Sequence, residues 1–466
     1  MTTTHSAFRL GDIRGVYPVD VDEEFARQFA HAFIQQFRLS GNIATGRDTR
    51  ESSVVLQHAL NDGLVEAGIN VFDLGLCPTE LGSFAAAQNN IEAAIIVTAS
   101  HNAPRYNGFK CMLKPGKEAT FRAGLADIEQ LMHANTVITG SAPGLQSNLY
   151  LDDDYTRFIK SSLKIEPGIT GSLALNGLNG TATILATRLV DEYELNCTWF
   201  RQNPGPMPSQ GAEPTHPQLA NEMRDFMSGK QFELGIAWDG DCDRCVFFDH
   251  DGELIPTYYI IGLFAEHALK SDPGAAIVYD TKLCWNTLDI IRQNEGKPIR
   301  SETGHAFMKE KMRAHNAVYG GELSSHHYFK DFFSSDSGMY AWLKALEITQ
   351  QSGKSVAELI QHSREKYLCT PEISLNLADV DSAFNEMLKF YNPLATHVDD
   401  FDGLSFEMPG DWRFSLRRSK TESLVRLNLE SIATGESILN EGATLLSRLL
   451  PFQAEDADWH SRLLLQ

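Results

Sequence analysis

The chain has 466 residues, 42% of them apolar and 22% charged, with a formal net charge of −21. A chain of this length divides into roughly three or four domains, and its acidic field repels polyanions, which argues against nucleic acid as a partner. No stretch approaches the roughly 18 apolar residues of a membrane span, and Met1 to His5 lack the basic and apolar segments of a secretory signal. The seven cysteines are odd in number and scattered, which suits free thiols in a reducing compartment, so a cytoplasmic protein is expected.

In chain order, Arg9 to Gly15 precede a helix in which Phe25, Phe29, Phe33 and Phe37 recur every fourth residue, one apolar stripe facing a core. Asn42 to Thr45 read as a strand, Gly46 to Arg50 as its loop and residues 51–67 as a returning helix; Val71 to Leu74 make the next strand. The apolar run Ala93 to Val97 reads as a buried strand, and it delivers Thr98-Ala99-Ser100-His101-Asn102 at its carboxyl end, where α/β proteins present chemistry. Lys110 follows beyond a turn signal, Tyr106-Asn107-Gly108. Alone, this stretch is also what an ordinary strand-to-loop turn presents. Pro143-Gly144 opens a linker. A second α/β pattern runs from a helix around 154–159 through a strand at 173–175 to the strand Leu234 to Trp238. A third begins near 252, with a strand at 276–279, a loop at 280–282, a helix near 285–293 and a capping box at Ser355 to Glu358. The shared strand–loop–helix plan suggests an old internal repeat. After Pro371, Trp412, Phe414 and Leu416, then Val425, Leu427 and Leu429, alternate with polar residues, as half-buried strands of an α+β module do. The domains expected are 1–148, 149–250, 251–368 and 369–466.

Three further stretches carry chemistry. Asp239, Asp241 and Asp243, at alternate positions after a strand, can converge on one hard cation such as Mg²⁺, and without a cation they would repel one another. Cys242 and Cys245 form a lone Cys-x-x-Cys inside that loop and read as accidental. Glu322, Ser324 and His326 lie on a glycine-introduced loop, and a carboxylate that accepts from vicinal hydroxyls is a natural sugar clamp. Arg417, Arg418, Ser419, Lys420 and Thr421 lie between the two last strands, and cations with hydroxyls on one turn are what a phosphate dianion needs; a charged hairpin turn is the plainer alternative.

Together, Thr98 to Asn102, Asp239 to Arg244, Gly321 to His326 and Arg417 to Thr421 resemble, in order and spacing, the four linked motifs of the α-D-phosphohexomutases, chiefly the bacterial phosphomannomutase/phosphoglucomutase type. The resemblance spans nearly the whole chain. It implies an α/β fold of four domains around a central cleft, three related α/β domains with mixed, largely parallel sheets plus a C-terminal α+β domain. Ser100 is implied to carry the phosphoryl group and to ligate Mg²⁺ with Asp239, Asp241 and Asp243. Glu322, Ser324, His326 and Lys282 are implied to bind substrate, as are Arg417, Ser419, Lys420 and Thr421. Arg14, His101, Lys110, Arg244 and His305 match other catalytic positions, with Lys110, Arg14 and His305 the candidates for assisting proton transfer. The implied reaction interconverts mannose 6-phosphate and mannose 1-phosphate through a phosphoserine and a hexose 1,6-bisphosphate, which also serves as activator. Glucose phosphates are possible further substrates. A phosphoglucomutase, a phosphoglucosamine mutase and a non-catalytic sugar-phosphate-binding protein are the alternatives. The expected partner is a hexose phosphate, not a membrane, and a monomer or weak homodimer is expected. Four positions depart from the family's common residues: Gly11 stands for tyrosine, Ala103 and Ser423 for proline, and Lys420 for asparagine.

Overall fold

The structure, a computed structural model, describes residues 7–454 except 89, 115–116, 135–136, 139, 141, 169–170, 420–423 and 433. Four sheets follow one another along the chain. The first has the order Ile13–Val16, Tyr106–Leu113, Ala93–Val97, Asn42–Arg47, Asn70–Leu76, Gln146–Asn148, with Lys117–Glu118 paired to Tyr106–Leu113. The second runs Leu254–Ile255, Cys245–Phe248, Leu234–Trp238, Leu173–Asn176, Cys197–Phe200, and the third Lys297–Ser301, Ala276–Asp280, Tyr319–Gly321, His327–Phe329, Ser335–Asp336. These three are mixed sheets with helices packed against them. The fourth is antiparallel throughout and centres on Trp412–Arg418 and Val425–Ser431.

One plan recurs in the first three sheets. Parallel strands lead to a last parallel strand, which turns back into an antiparallel neighbour: Ala93–Val97 into Tyr106–Leu113, Leu234–Trp238 into Cys245–Phe248, and Tyr319–Gly321 into His327–Phe329. The loops at these three reversals are residues 98–105, 239–244 and 322–326. The serine, acidic and sugar motifs therefore occupy equivalent places in three domains, which accounts for the shared pattern along the chain.

The aromatic stripe behaves as its spacing predicts. Asp22 caps the helix Glu23–Phe37 by accepting from Phe25 N, and Phe29 stacks on Phe109 with ring centroids 5.0 Å apart. That side of the first sheet has its own apolar core. The opposite side opens into a larger one that continues through the second and third domains, from Ala44 and Phe84 to Trp238, Trp342 and Cys369. The fourth domain keeps a separate core around Phe406, Phe414 and Leu445.

Two local readings need correction. Tyr106-Asn107-Gly108 is the start of a strand, not a turn; a Cβ on Gly108 would stand 1.8 Å from Ile13 O, so glycine there serves close strand pairing. The supposed linker after Pro143 contributes Gln146–Asn148 as an edge strand of the first sheet, parallel to Asn70–Leu76. All seven cysteines are free thiols. No helix among the described residues is long and apolar enough to cross a membrane.

Candidate active site

Strand Ala93–Val97, buried along its length, delivers the serine loop. Ser100 has φ 51°, a left-handed conformation that a non-glycine residue keeps only when its surroundings hold it. Its N–H donates to Thr98 Oγ1 at 2.9 Å. Arg50, itself buried, donates to the carbonyls of Ser100 and Asn102, each at 2.8 Å, and to that of Ala103 at 2.9 Å. Asp48 holds Arg50 through Nε at 2.9 Å and accepts from Thr98 Oγ1 at 2.9 Å. Asp48 and Arg50 escaped the sequence reading, although opposite charges in a short loop at the end of strand Asn42–Arg47 were a usable signal. Arg14 donates to Asn102 Oδ1 at 2.6 Å and pairs with Asp12.

The acidic loop meets this serine. Ser100 Oγ donates to Asp239 Oδ2 at 2.8 Å, and Arg244 Nη2 lies 3.4 Å from the same Oγ. Arg244 is fixed by Asp239 (Nε to Oδ2, 3.1 Å) and by Glu213 (Nη1 to Oε2, 2.6 Å), a second residue the sequence reading missed. His101 Nδ1 is 3.3 Å from Ser100 Oγ, and desolvation together with Arg244 and Arg14 holds its imidazole well below the usual range. Lys110 reaches the site from the antiparallel strand, where it pairs opposite Ile96. It donates to Asp241 Oδ2 at 2.7 Å and to Asp243 Oδ2. Burial alone would discharge it, but Asp241 and Asp243 outweigh that and hold an ammonium.

The three aspartates are buried, with ligand oxygens within 4.8 Å of one another. Burial pushes Asp239 well above the usual carboxylate range, against the pull of Arg244 and with the help of Asp243 and Asp241. Burial acts upward on Asp243 too, but Lys110 and His326 hold it well below that range. Asp241 Oδ1 and Asp243 Oδ1 are buried without a hydrogen-bond partner. Unsatisfied buried carboxylate oxygens, converging as hard donors, fit a divalent cation. The loop is braced from the first domain by Thr79, whose N–H donates to Asp241 O at 2.9 Å and whose Oγ1 donates to Asp241 Oδ2 at 2.7 Å. Next to it, Glu80 accepts from Ser337 Oγ of the third domain, and burial pushes its carboxyl up to about 8. Cys242 and Cys245 are buried beside these groups.

The sugar loop joins the acidic loop directly. Arg244 and His326 form a β-bridge, and His326 Nε2 lies 3.5 Å from Asp243 Oδ1. Ser324 Oγ is 2.9 Å from His326 Nδ1. Glu322 accepts from Gly304 N at 2.8 Å and Tyr328 OH at 3.0 Å, which leaves a second lone pair on each oxygen. Asp280 ties this loop to the next by accepting from Leu323 N and Lys282 N, and Lys282 Nζ is 3.5 Å from Asp280 Oδ2. His305 begins the helix His305–Ala314 with its ring 6.4 Å from that of His326. A Cβ on Gly11 would stand 2.5 Å from His305 Nε2. A side chain at position 11 would therefore require the His305 ring to move aside.

In the fourth domain, Arg417 lines a narrow cavity together with Lys282, Ser405 and Ser415. Its Nε is buried without a hydrogen-bond partner, 4.0 Å from Asp402 Oδ2. Ser419 N donates across the loop to Leu424 O at 2.7 Å. Lys420 and Thr421 lie outside the described residues.

Comparison with known proteins agrees with this arrangement. Residues 5–137, 153–252 and 256–367 match the family models of phosphoglucomutase/phosphomannomutase α/β/α domains I, II and III respectively. A protein of Xanthomonas campestris pv. campestris described as phosphohexose mutases is 36% identical over 447 residues, covering 95% of this chain and 98% of that one. An Escherichia coli phosphomannomutase is 37% identical over 445 residues, covering 92% and 96%. The crystal structure of a phosphoglucomutase/phosphomannomutase family protein from Burkholderia thailandensis superposes with a TM-score of 0.85 at 31% identity, covering 97% of this chain and 99% of that one. With three family domains in order and relatives matched over nearly their whole length, the chain belongs to the phosphoglucomutase/phosphomannomutase family and is a phosphohexomutase of the isomerase class.

Proposed function

We propose that the protein is a phosphomannomutase that interconverts mannose 6-phosphate and mannose 1-phosphate and also accepts glucose phosphates. The observation that carries the mechanism is Ser100 Oγ, bonded to Asp239 and faced by Arg244 on a strained, fully braced loop. Ser100 carries a phosphoryl group in the resting cycle. A sugar hydroxyl attacks the phosphorus, its O–P bond forms as the Ser100 O–P bond breaks, and the hydroxyl proton passes to a cleft base, for which His305 is the candidate. The resulting hexose 1,6-bisphosphate reorients, and its other phosphoryl group returns to Ser100. Asp239, Asp241, Asp243 and the Ser100 oxygen would hold Mg²⁺, which when bound would supply Lewis-acid neutralisation of phosphoryl charge. Arg244 and Lys110 add fixed positive charge, and Lys110, kept protonated by Asp241 and Asp243, has no free lone pair with which to act as a base. Glu322 and Ser324 read the sugar hydroxyls, while Arg417, Ser419, Lys420 and Thr421 hold the phosphate that is not being transferred.

Purified protein with Mg²⁺ and mannose, glucose or glucosamine 1-phosphate tests this reading. The expected product is the hexose 6-phosphate, fastest from mannose 1-phosphate. Release of free phosphate would indicate a phosphatase, and binding without turnover a sugar-phosphate-binding protein. The sugar clamp has its own expected result. Glu322→Gln should lower kcat/KM towards both mannose and glucose 1-phosphates on the order of tenfold to a hundredfold, the value of one or two charge-assisted hydrogen bonds. Phosphorylation of Ser100, followed by intact mass, should be unaffected; wild-type kcat/KM on both sugars would remove Glu322 from sugar recognition.

A further inference from the structure

A buried polar cluster joins the fourth domain to the third, and none of the roles above uses it. Arg413 sits on strand Trp412–Arg418, four residues before Arg417, and register places it opposite Glu430 on strand Val425–Ser431. Their exposures are 4% and 0%, and the two side chains are ion-paired. Arg413 also crosses the domain boundary. Its Nη2 donates to Thr281 O at 2.9 Å and its Nη1 to Lys282 O at 3.2 Å, and Ser415 Oγ donates to the same Lys282 carbonyl at 3.1 Å. Glu430 crosses in the same direction, accepting from Cys284 N at 2.9 Å, from Trp285 N at 3.0 Å and from Tyr258 OH.

These contacts grip one short segment at both of its polar ends. Residues 281–284 lead from strand Ala276–Asp280 into helix Trp285–Gln293. The first N–H groups of a helix have no partner within it, and a carboxylate there is favoured by the helix dipole. Glu430 supplies that carboxylate from another domain, while the fork of Arg413 takes the preceding carbonyls. Lys282, whose side chain leaves from the gripped segment, lines the same narrow cavity as Arg417.

We infer that Arg413 and Glu430 are positioning residues that set the separation of Lys282 and Arg417, so that cations from two domains meet the hexose phosphate as one preformed pair. The inference rests on the mutase reading, which makes both cations substrate ligands. A fixed pair binds without first being ordered. Arginine is needed because lysine keeps the charge opposite Glu430 but cannot span two carbonyls with a planar fork.

The test uses Arg413→Lys and, in parallel, Glu430→Gln, which keeps an acceptor but loses the charge. Because ground-state and transition-state binding should weaken alike, KM for mannose 1-phosphate should rise about tenfold, with kcat within about twofold of wild type. The calorimetric Kd for mannose 6-phosphate should rise in parallel. A purely structural lesion would instead shrink the active fraction, lowering kcat at constant KM, and that result would overturn the inference. So would wild-type KM and Kd in either folded variant. Should the wild-type protein bind mannose 6-phosphate without isomerising it, the mutase reading fails, and the Kd comparison alone decides the positioning role.

Discussion

Ser100→Ala is expected to abolish both the phosphorylated form of the protein and its turnover of hexose phosphates. Without the hydroxyl there is no acceptor for the phosphoryl group, so the loss should be roughly a thousandfold or more, as for removal of a nucleophile elsewhere. Serine already carries a Cβ at this left-handed φ of 51°, so Ser100→Ala leaves that backbone strain in place. Ser100→Gly removes it together with the hydroxyl, since glycine accepts that conformation freely. The glycine variant should be as inactive as the alanine variant and at least as stable in a thermal melt. Intact-mass measurement should find a phosphorylated fraction in the wild type that maps to Ser100, and none in either variant. Near-normal turnover by either would mean that another group carries the phosphoryl.

Removal of the cation should have an effect of similar size. Excess chelator should abolish activity and added Mg²⁺ should restore it, because the buried aspartates repel one another and Asp239 is driven toward its neutral form without a counter-charge. Asp241→Asn keeps the shape of the side chain, so Thr79 and Thr98 retain an acceptor at position 241. It should lower turnover by roughly a hundredfold to ten-thousandfold while the circular dichroism spectrum stays unchanged. Mg²⁺ should also raise the melting temperature of the wild type, as any ligand selective for the native state does, and should do so less for Asp241→Asn. Full activity in excess chelator would exclude the metal role.

The parts of the site that lie in contiguous loops were legible in the sequence because strand, glycine and charge patterns are local. The serine and acidic motifs follow strands and the 322–326 motif follows a glycine pair, and the fold then places all three at equivalent strand reversals. What lay beyond reach depends on contacts between distant segments. Arg50 braces Ser100 across a separation of 50 residues, and Glu213 fixes Arg244 across 31. The charge pair of Asp48 and Arg50 was a local signal, but the neighbours of neither Arg50 nor Glu213 show which distant group it holds. Glu80 and Glu430 sit in strands and helices whose neighbours are apolar, so only the assembled domains show why a carboxylate belongs there. The turn misread at Tyr106 to Gly108 has the same origin: glycine there answers to Ile13, far away in the chain, and not to its own neighbours.

One apolar core runs through the first three domains, whereas the fourth domain keeps its own. The chain is therefore expected to unfold as two cooperative units, not four. Opening inside the larger unit would expose apolar surface shared between domains, so its excursions should lie close in free energy to complete unfolding. Separation of the fourth domain breaks chiefly polar contacts, among them Arg413 with the 281–284 segment, Arg300 with Asp399 and Thr303 with Asp402, and water can replace most of those bonds. The wall of the cleft that carries Arg417 is thus mounted on the more easily opened boundary, and Arg413 and Glu430 set Lys282 and Arg417 at their binding separation while that boundary is closed. Under the proposed mechanism, a bisphosphate that must turn end for end would find its room there, while the serine, the aspartates and the 322–326 loop would stay together within the larger unit.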